Sequence, residues 1–451
     1  MGFPRTAKRL KVLLIIEQCN PEGVSVPLVG YRFYNSISQL SDTTLVTHAR
    51  NKASLEKIHP DRDIVYLFES ELSRRYYNLA ALLSCIKGKI IWPLRLMLTY
   101  PIYAEFNHSV YTHFCSAIER EQYDIVHAIT PMMPRYPVKV VKACKTTPFV
   151  MGPVNGGIPF PRGFRALARR EFSGLNFLRW VGRSLIPGYR ETYQQADKIL
   201  VGSDYTAGLI QDLFEISRER LELLSENGLT PAFFSAGLRR SHPHSHAYSH
   251  SHAYSTERPL SLLFVGRLVP YKSADILLEA VSQLNASLRD RVRLTIVGSG
   301  PERSELQRQT DSLKLQDAVR FTGWVSHAET IDFYRQADIF CFPSLREFGG
   351  AVVLEAMAHG LPCIVVNHGG VGEYVTEKTG FRIEPISRAF IVRQITEKIE
   401  QLVDNPVLHE QMSYCAVERA REFTWTAKAK RIVALYQVQV QQLEKTPVSV
   451  G

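Results

Sequence analysis

The sequence predicts an α/β protein with two domains, each built around a parallel β-sheet. Short runs of β-branched and aliphatic residues alternate with helical segments along the whole chain, which is the pattern of repeated βαβ units. At 451 residues the chain is too long for one ordinary domain. A composition of 45% hydrophobic and 22% charged residues is that of a globular protein and excludes fibrous repeats and wholesale disorder.

The first half of the chain carries six short strand-like runs. The earliest is too short and too charged for the core of a signal peptide and fits a buried strand better. Strands are predicted at 11–16, 44–47, 64–68, 124–128, 148–151 and 198–201.

The second half repeats this alternation more regularly. Strands are predicted at 260–265, 293–297, 319–321, 339–342 and 363–366, with helices at 274–284, 302–314 and 351–359. A further helix is predicted at 427–443.

A histidine-rich tract marks the junction of the two halves. Residues 241–255 read SHPHSHAYSHSHAYS, and five of the 14 histidines lie between His242 and His252. Such a tract either binds a metal or is a duplicated, solvated linker; we favour the linker because nothing would fix the ligand geometry. The predicted domains are therefore 1–240, a linker at 241–256, a second domain at 257–426 and a C-terminal helix at 427–451.

Charge is distributed unevenly between the halves. Residues 1–240 hold 31 basic and 21 acidic side chains, whereas residues 241–451 hold 23 of each. The whole net charge of +10 therefore belongs to the first half. A one-sided basic surface suggests an anionic partner, such as nucleic acid, acidic lipid or a phosphorylated substrate.

The cysteines and the hydropathy pattern indicate the cellular compartment of the protein. Seven scattered cysteines without a C-x-x-C pair indicate a reducing compartment, not a disulfide frame or a zinc site. No run of 18 uncharged apolar residues occurs, so no transmembrane helix is expected. These features predict a cytoplasmic protein.

Two turns of the second half have the chemistry of phosphate sites. Gly266, Arg267 and Lys272 follow a buried strand, and two cations beside a glycine suit a diphosphate. Gly298 and Gly300 stand at the next strand–helix turn, where the backbone can approach a nucleotide. Either turn taken alone is equally consistent with an ordinary surface loop.

The third turn, at 342–366, carries two carboxylates. Glu347 lies in a loop before a predicted helix, and Glu355 lies inside that helix, with seven residues between them. Gly349 and Gly350 expose backbone N–H groups at the helix N-terminus. Carboxylates bind sugar hydroxyls, while the amides and the helix dipole favour a phosphate.

Together these turns resemble the C-terminal domain of the retaining glycosyltransferases of family 4, which have the GT-B fold. The resemblance rests on Val265–Leu268 with Lys272, on Val297–Pro301, and on the block from Pro343 to Pro362. It implies two Rossmann-like domains facing across a cleft, the second of them binding the nucleotide-sugar, with the helix at 427–443 crossing back onto the first domain. It also implies a nucleotide-sugar site formed by Gly266, Arg267, Lys272, Gly298, Gly300, Glu347, Phe348, Gly349, Gly350 and Glu355.

The first half resembles the family more loosely. Gly23 stands in the loop where many members have two glycines, and it is expected to approach the donor or the acceptor. His127 matches the family histidine near the reacting sugar. The resemblance implies transfer from a UDP-, GDP- or ADP-sugar with retention of configuration. Arg267 and Lys272 would stabilise the leaving diphosphate, Glu347 would orient the sugar, and Glu355 would bind the ribose.

No cofactor and no metal are predicted beyond the nucleotide-sugar co-substrate. Asp61 and Asp63 form a D-x-D pair, the metal motif of the other major glycosyltransferase fold, but they fit a solvated loop before a strand. The cations of the second half can take the place of a metal.

Two basic and aromatic segments suggest an anionic membrane surface. Residues 162–190 hold seven arginines and one acid, with Phe164, Leu167 and Trp180 among their apolar residues. Residues 82–103 combine Lys87, Lys89 and Arg95 with many aliphatic residues. Both segments are alternatively ordinary helices packed on the core. Nucleic acid would suit the same charge, but no nucleic-acid-binding motif is present.

The leading hypothesis is a transferase at the inner face of a membrane, acting on a lipid-linked saccharide or glycolipid in polysaccharide biosynthesis. A soluble transferase that makes a small glycoside and a non-catalytic scaffold with the same fold are the alternatives.

Overall fold

A computed structural model describes residues 9–86, 89–170, 186–237 and 259–445. The histidine-rich tract lies outside these ranges. The strands are β1 Lys11–Ile15, β2 Asp42–His48, β3 Ile64–Leu67, β4 Cys85–Ile86, β5 Lys89–Ile90, β6 Ile125–Ala128, β7 Phe149–Val154, β8 Lys198–Val201, β9 Leu221–Leu223, β10 Leu260–Val265, β11 Val292–Val297, β12 Val319–Gly323, β13 Ile339–Phe342, β14 Cys363–Val366 and β15 Gly380–Ile383.

The α-helices alternate with these strands. They are α1 Val26–Ile37, α2 Lys52–Glu56, α3 Glu71–Leu83, α4 Trp92–Glu119, α5 Arg165–Arg170, α6 Tyr189–Gln195, α7 Asp204–Phe214, α8 Pro231–Gly237, α9 Ala274–Ser282, α10 Ala286–Arg289, α11 Arg303–Ser312, α12 His327–Gln336, α13 Ala351–Ala358, α14 Val371–Tyr374, α15 Arg388–Asp404, α16 Pro406–Arg421 and α17 Trp425–Lys445.

The chain forms two compact units. The first comprises residues 1–157, 172–226 and 425–451, and the second comprises residues 158–171 and 227–424. Two short stretches, 158–171 and 227–237, thus differ from the boundary expected at residue 240. They join the second unit because Phe164, Leu229 and Phe233 are buried in its core.

The first unit is built on a parallel sheet with the strand order β3-β2-β1-β6-β7-β8-β9. Successive residues of β1 face opposite sides: Leu13 packs into one buried cluster and Leu14 into the other. Burial on both faces explains why the strand is continuously apolar, as expected for a parallel sheet covered by helices. Strands β4 and β5 form a separate antiparallel pair.

The second unit has a parallel sheet in the order β12-β11-β10-β13-β14-β15. Its core contains the strand residues predicted from the sequence, and β10, β13 and β14 have the predicted bounds. The α/β class with two parallel-sheet, Rossmann-like domains is therefore confirmed. The sequence analysis missed β9 and β15, which are short runs at the sheet edges.

The last helix belongs to the first unit. The ring of Trp425 packs edge-on against Phe33 of α1, with 5.1 Å between ring centroids. Further along α17, the buried Lys428 ammonium donates to the carbonyl oxygen (2.6 Å) and to Oγ (2.7 Å) of Ser225. These contacts hold α17 against the same sheet face that α1 covers.

The buried ammonium makes stability depend on pH. Burial lowers the pKa of Lys428 from 10.5 to about 7. Between these values the unfolded chain binds more protons than the folded one, so the free energy of unfolding rises with pH. We expect Lys428→Met to lose this pH-dependent part of the free energy of unfolding, which amounts to at most about 1.4 kcal/mol per pH unit.

Urea unfolding at pH 6.5, 8 and 9.5 measures the effect, with Lys430→Met as control because Lys430 is exposed on the same helix. Wild type should gain stability over Lys428→Met as the pH rises. A constant difference between the two proteins would contradict the assignment.

Candidate active site

The loop after β10 presents two cations at the carboxyl edge of the second sheet. Arg267 is exposed, and its side chain makes no hydrogen bond or ion pair with the residues that the structure describes. Lys272 ends a short 3-10 turn, Pro270–Lys272, and its ammonium lies 4.7 Å from the centroid of the Phe342 ring. One cation is thus open to solvent, and the other is partly buried over an aromatic face.

The loop after β11 is packed backbone against backbone on the loop after β10. A β-carbon on Gly298 would lie 2.0 Å from the carbonyl oxygen of Gly266, and one on Gly300 would lie 2.2 Å from that of Leu268. The N–H of Leu268 donates to the carbonyl of Ser299 (3.0 Å). Here the glycines let two loops approach each other, a role that the sequence analysis did not distinguish from approach to a nucleotide.

The loop after β13 brings Glu347 to Lys272. Their side chains form an ion pair and are only 15% and 14% exposed. The carbonyl of Glu347 accepts a hydrogen bond from the N–H of Gly370 (3.1 Å), which fixes the backbone. The sequence placed Glu347 in a loop before a helix, and the pair with Lys272 is a contact that it did not predict.

The N-terminus of α13 follows directly. Gly350 has a φ of +58°, and a β-carbon there would lie 2.3 Å from Cγ1 of Val371. Among the described residues no group accepts from the N–H groups of Gly349, Gly350, Ala351 or Val352. Helix dipole and free amides together favour an anion at this end.

Glu355 is buried behind this helix start, at 7% exposure. Its Oε2 accepts a hydrogen bond from the Tyr334 hydroxyl (2.9 Å), and its Oε1 lies 3.2 Å from Nε2 of His327. Burial, and then the charge of Glu355, raises the pKa of Tyr334 well above its ordinary value, so Tyr334 remains a donor. Sequence reasoning missed both partners because no spacing rule connects α12 with α13.

Ten of the predicted residues therefore belong to loops and a helix start of one sheet edge in the second unit. The guanidinium of Arg346 lies 5.4 Å from the centroid of the Phe348 ring. Gly23 and His127 belong to the first unit. Gly23 closes a turn with its N–H donating to Asn20 (3.3 Å), and a ligand contact there stays a prediction.

His127 belongs to β6 of the first unit. It is completely buried, with Nε2 donating to the carbonyl of Gly152 (2.7 Å) and Nδ1 bonded to the Tyr436 hydroxyl of α17. Burial lowers its pKa to about 4, so the ring is neutral. Both ring nitrogens are occupied, so His127 joins α17 to the sheet, and a contact with the donor sugar stays a prediction.

The basic segments are only partly available as surface. Phe164 is buried in the core of the second unit, and Leu167 packs against that core, which contradicts their assignment to an interface. Residues 171–185, including Trp180, lie outside the described residues, as do Lys87 and the side chain of Lys89. In residues 82–103, Leu82 and Leu83 are exposed, whereas Ile91 and Ile102 are buried.

Two features are absent from the described ranges, a metal-binding cluster and a membrane-spanning helix. No three His, Cys, Asp or Glu side chains there are grouped as a metal site would require. No helix there is both long and apolar enough to cross a bilayer.

Residues 251–419 match the family model of Glycosyl transferases group 1. The match covers most of the second unit, so this unit is similar to a group 1 glycosyltransferase domain. Its loops are the ones described above.

The sequence is also similar to curated proteins named D-inositol 3-phosphate glycosyltransferase. The protein from Streptosporangium roseum is 29% identical over 278 residues, which is 58% of this chain and 60% of the relative. The chain spans about 60% of the length of two curated relatives of this name, from Kribbella flavida and Streptosporangium roseum.

Solved structures share the fold over nearly the whole chain. A glycosyltransferase from Rickettsia africae has a TM-score of 0.58 at 15% identity, covering 97% of this chain and 99% of that one. Anabaena HepE, solved in complex with UDP, has a TM-score of 0.54 at 16% identity, covering 95% and 100%. These likenesses support the GT-B class of fold.

The packing of the two glycine-bearing loops is testable. A methyl group at residue 300 would meet the Leu268 carbonyl, so Gly300→Ala should displace the Arg267 loop and weaken nucleotide binding at least tenfold. Gly208→Ala is the control because nothing lies within 4 Å of its β-carbon, and alanine there should stabilise α7 by ~1 kcal/mol. Thermal unfolding and nucleotide titration measure both effects. Unchanged nucleotide affinity in Gly300→Ala would contradict this role.

Proposed function

We propose that the protein is a retaining glycosyltransferase. It transfers a sugar from a nucleotide-sugar donor to a hydroxyl group of a membrane-associated acceptor. The observation that carries this proposal is the carboxyl edge of the second sheet, where an exposed arginine, a lysine–glutamate pair and an uncapped helix N-terminus occupy consecutive loops.

The leaving group in such a transfer is a nucleoside diphosphate. As the bond from the sugar to the diphosphate breaks, negative charge grows on the phosphate oxygens. Arg267 and Lys272 supply positive charge there, and the free amides from Gly349 to Val352 supply fixed donors. These groups need no metal ion to balance the diphosphate, and metal independence is part of the proposal.

The two glutamates have separate tasks. Glu347 stands beside Lys272 and would accept hydrogen bonds from donor-sugar hydroxyls while its charge keeps the lysine in place. Glu355, held by the Tyr334 hydroxyl, would accept from the ribose hydroxyls of the nucleotide. Retention of configuration, with the leaving phosphate taking the acceptor proton, is the route that the family resemblance implies.

The membrane part of the proposal rests on α3 in the first unit. Leu72, Leu79, Leu82 and Leu83 are all exposed, Leu72 by 78% and Leu82 by 72%, and helical geometry places them on one face. Residues 71–98 contain five basic and one acidic side chain. An outward apolar face with flanking cations suits an anionic lipid surface and supports the proposed location at the inner face of a membrane.

Similarity to curated proteins favours one second candidate.

 The matched relatives are named for D-inositol 3-phosphate, a small phosphorylated polyol. A soluble transferase acting on such an acceptor would use the same donor site, and its basic first unit would attract the acceptor's phosphate.

The donor site is tested by nucleotide release. Purified protein is incubated with UDP-, GDP- and ADP-sugars, with and without a membrane lipid extract. We expect nucleotide release from one donor, and release should fall about 100- to 1000-fold in Arg267→Ala and in Glu347→Gln. The first variant removes a charge that stabilises the departing diphosphate, and the second removes the charge that holds Lys272 in place.

Arg308→Ala and Glu305→Gln are the controls, since these two exposed residues pair with each other on α11. They should leave release unchanged. Absence of release together with absence of nucleotide binding would overturn the transferase proposal and favour a non-catalytic scaffold.

The membrane surface is tested by sedimentation with vesicles of phosphatidylglycerol and phosphatidylcholine at low salt. Replacing Leu72, Leu79 and Leu82 with serine removes the apolar face and should weaken binding at least tenfold. The control replaces Val407 and Tyr414 with serine, since both are exposed in the second unit. Equal sedimentation of wild type and the triple variant would exclude α3 as the docking face, and no binding by wild type would favour the soluble candidate.

A further inference from the structure

A short segment from the first half of the sequence, residues 158–170, belongs to the second unit. Phe164 anchors it in the core of that unit, and Leu167 packs against the same core. Ile158 and Phe160 each precede a proline, which favours extended backbone at both positions. Alternate side chains of an extended chain lie on one side, so Ile158 and Phe160 are expected to face the same way.

The segment 158–170 contacts loops at the carboxyl edge of the second sheet. The Pro159 carbonyl accepts a hydrogen bond from Nε2 of His368 (2.7 Å), in the loop after β14. A β-carbon on Gly163 would lie 2.2 Å from the carbonyl oxygen of Ile386, in the loop after β15. The segment therefore lies beside the edge that carries the candidate donor site.

Phe160 contacts the loop after β13, which carries Glu347. The guanidinium of Arg346 lies over two aromatic rings, 5.3 Å from the centroid of Phe160 and 5.4 Å from that of Phe348. A cation over an aromatic face is attracted by the electron density of the ring, most strongly where water is excluded. Phe160 thus holds the residue that immediately precedes Glu347.

Ile158 approaches the same loop at Gly369. A β-carbon on Gly369 would lie 2.1 Å from the carbonyl oxygen of Glu347 and 2.7 Å from Cδ1 of Ile158. The N–H of the next residue, Gly370, donates to that carbonyl (3.1 Å). The segment therefore contacts both the residue before Glu347 and the glycine against which the Glu347 backbone packs.

The hydrophobic core does not account for the position of Phe160. The side chain is half-buried, and the core clusters of the described residues include Phe164 but not Phe160. Its removal should therefore leave the core intact while it frees Arg346 from one of its two rings. Glu347 forms a partly buried pair with Lys272, so a displaced loop would alter that pair.

We propose that Phe160 is a positioning residue of the donor site. Acting through Arg346, its ring holds the Glu347 carboxylate beside Lys272, where it can orient the donor sugar. The inference rests on the proposed transferase function and adds a residue that lies outside the motifs of the second half. Because small displacements of a positioned group cost rate steeply, the effect should appear in turnover.

Turnover is measured as nucleotide release from the donor that wild type accepts. Phe160→Ala should lower kcat about 10- to 100-fold. Phe160→Tyr keeps an aromatic face and should restore turnover, whereas Phe160→Leu keeps bulk without that face and should resemble Phe160→Ala. Thermal unfolding checks that each variant folds, and the tyrosine and leucine variants decide the matter where the alanine variant does not fold.

A double-mutant cycle separates action through Arg346 from a general loosening of the loop. Arg346→Met should also lower kcat, and adding Phe160→Ala should cause less than about a twofold further fall because the contact is already lost. Arg393→Met is the matched control, since its guanidinium lies 5.5 Å from the centroid of the Phe390 ring within α15. This control should leave kcat unchanged.

Hydrogen exchange reports on the loop without any need for turnover. The N–H groups of Leu345 and Gly370 donate to the carbonyls of Tyr271 (2.8 Å) and Glu347 (3.1 Å). Phe160→Ala should speed the exchange of both amides by about tenfold or more and leave the amides of α15 unchanged.

Wild-type kcat or wild-type exchange in Phe160→Ala would overturn the proposal. Additive losses in the double variant, or equal turnover of Phe160→Leu and Phe160→Tyr, would do the same. Absence of release by wild type would instead overturn the transferase function, and exchange would then still decide whether Phe160 orders the loop of Glu347.

Discussion

The candidate active site depends on the contact between the loops that follow β10 and β11. A carbonyl oxygen of one loop occupies the space that any side chain on Gly298 or Gly300 would need. The third loop is attached to the first by the N–H of Leu345, which donates to the carbonyl of Tyr271 (2.8 Å). Backbone contacts thus fix the spacing of the loops, and the positions of the charged side chains depend on that spacing.

Charge placement follows the same logic in both units. Several exposed ion pairs join residues one helical turn apart, such as Arg308 and Glu305, and such pairs contribute little to stability. Beyond the strand ends the arrangement differs: Lys272 and Glu347 share a partly buried pair, whereas Arg267 is exposed and has no such partner among the described residues. Incompletely neutralised groups at strand ends are the ones to which a polar ligand adds the missing contacts.

The sequence was sufficient for the parts governed by local pattern. Continuous apolar runs predicted the central strands, and glycine with neighbouring charged residues predicted the loops that follow them. The sequence was insufficient where contacts between distant parts of the chain determine the environment of a residue. The residues around His127 do not reveal its hydrogen bond to the Tyr436 hydroxyl, because Tyr436 lies 309 residues further along the chain. Phe164 stands among arginines in the sequence, yet the core of the second unit buries it. Tyr334 has no local signal because its partner, Glu355, lies on another helix.

The position of α17 has a consequence for the order of synthesis. Residues 425–445 cover a face of the sheet whose first strand begins at Lys11, so almost the entire chain must leave the ribosome before that face is complete. The second unit, whose residues end at 424, is complete earlier. During translation Phe33 therefore lacks its contact with Trp425, and His127 lacks its hydrogen bond to Tyr436, until α17 has been made. A chain terminated before residue 425 would expose this apolar surface to chaperones and proteases.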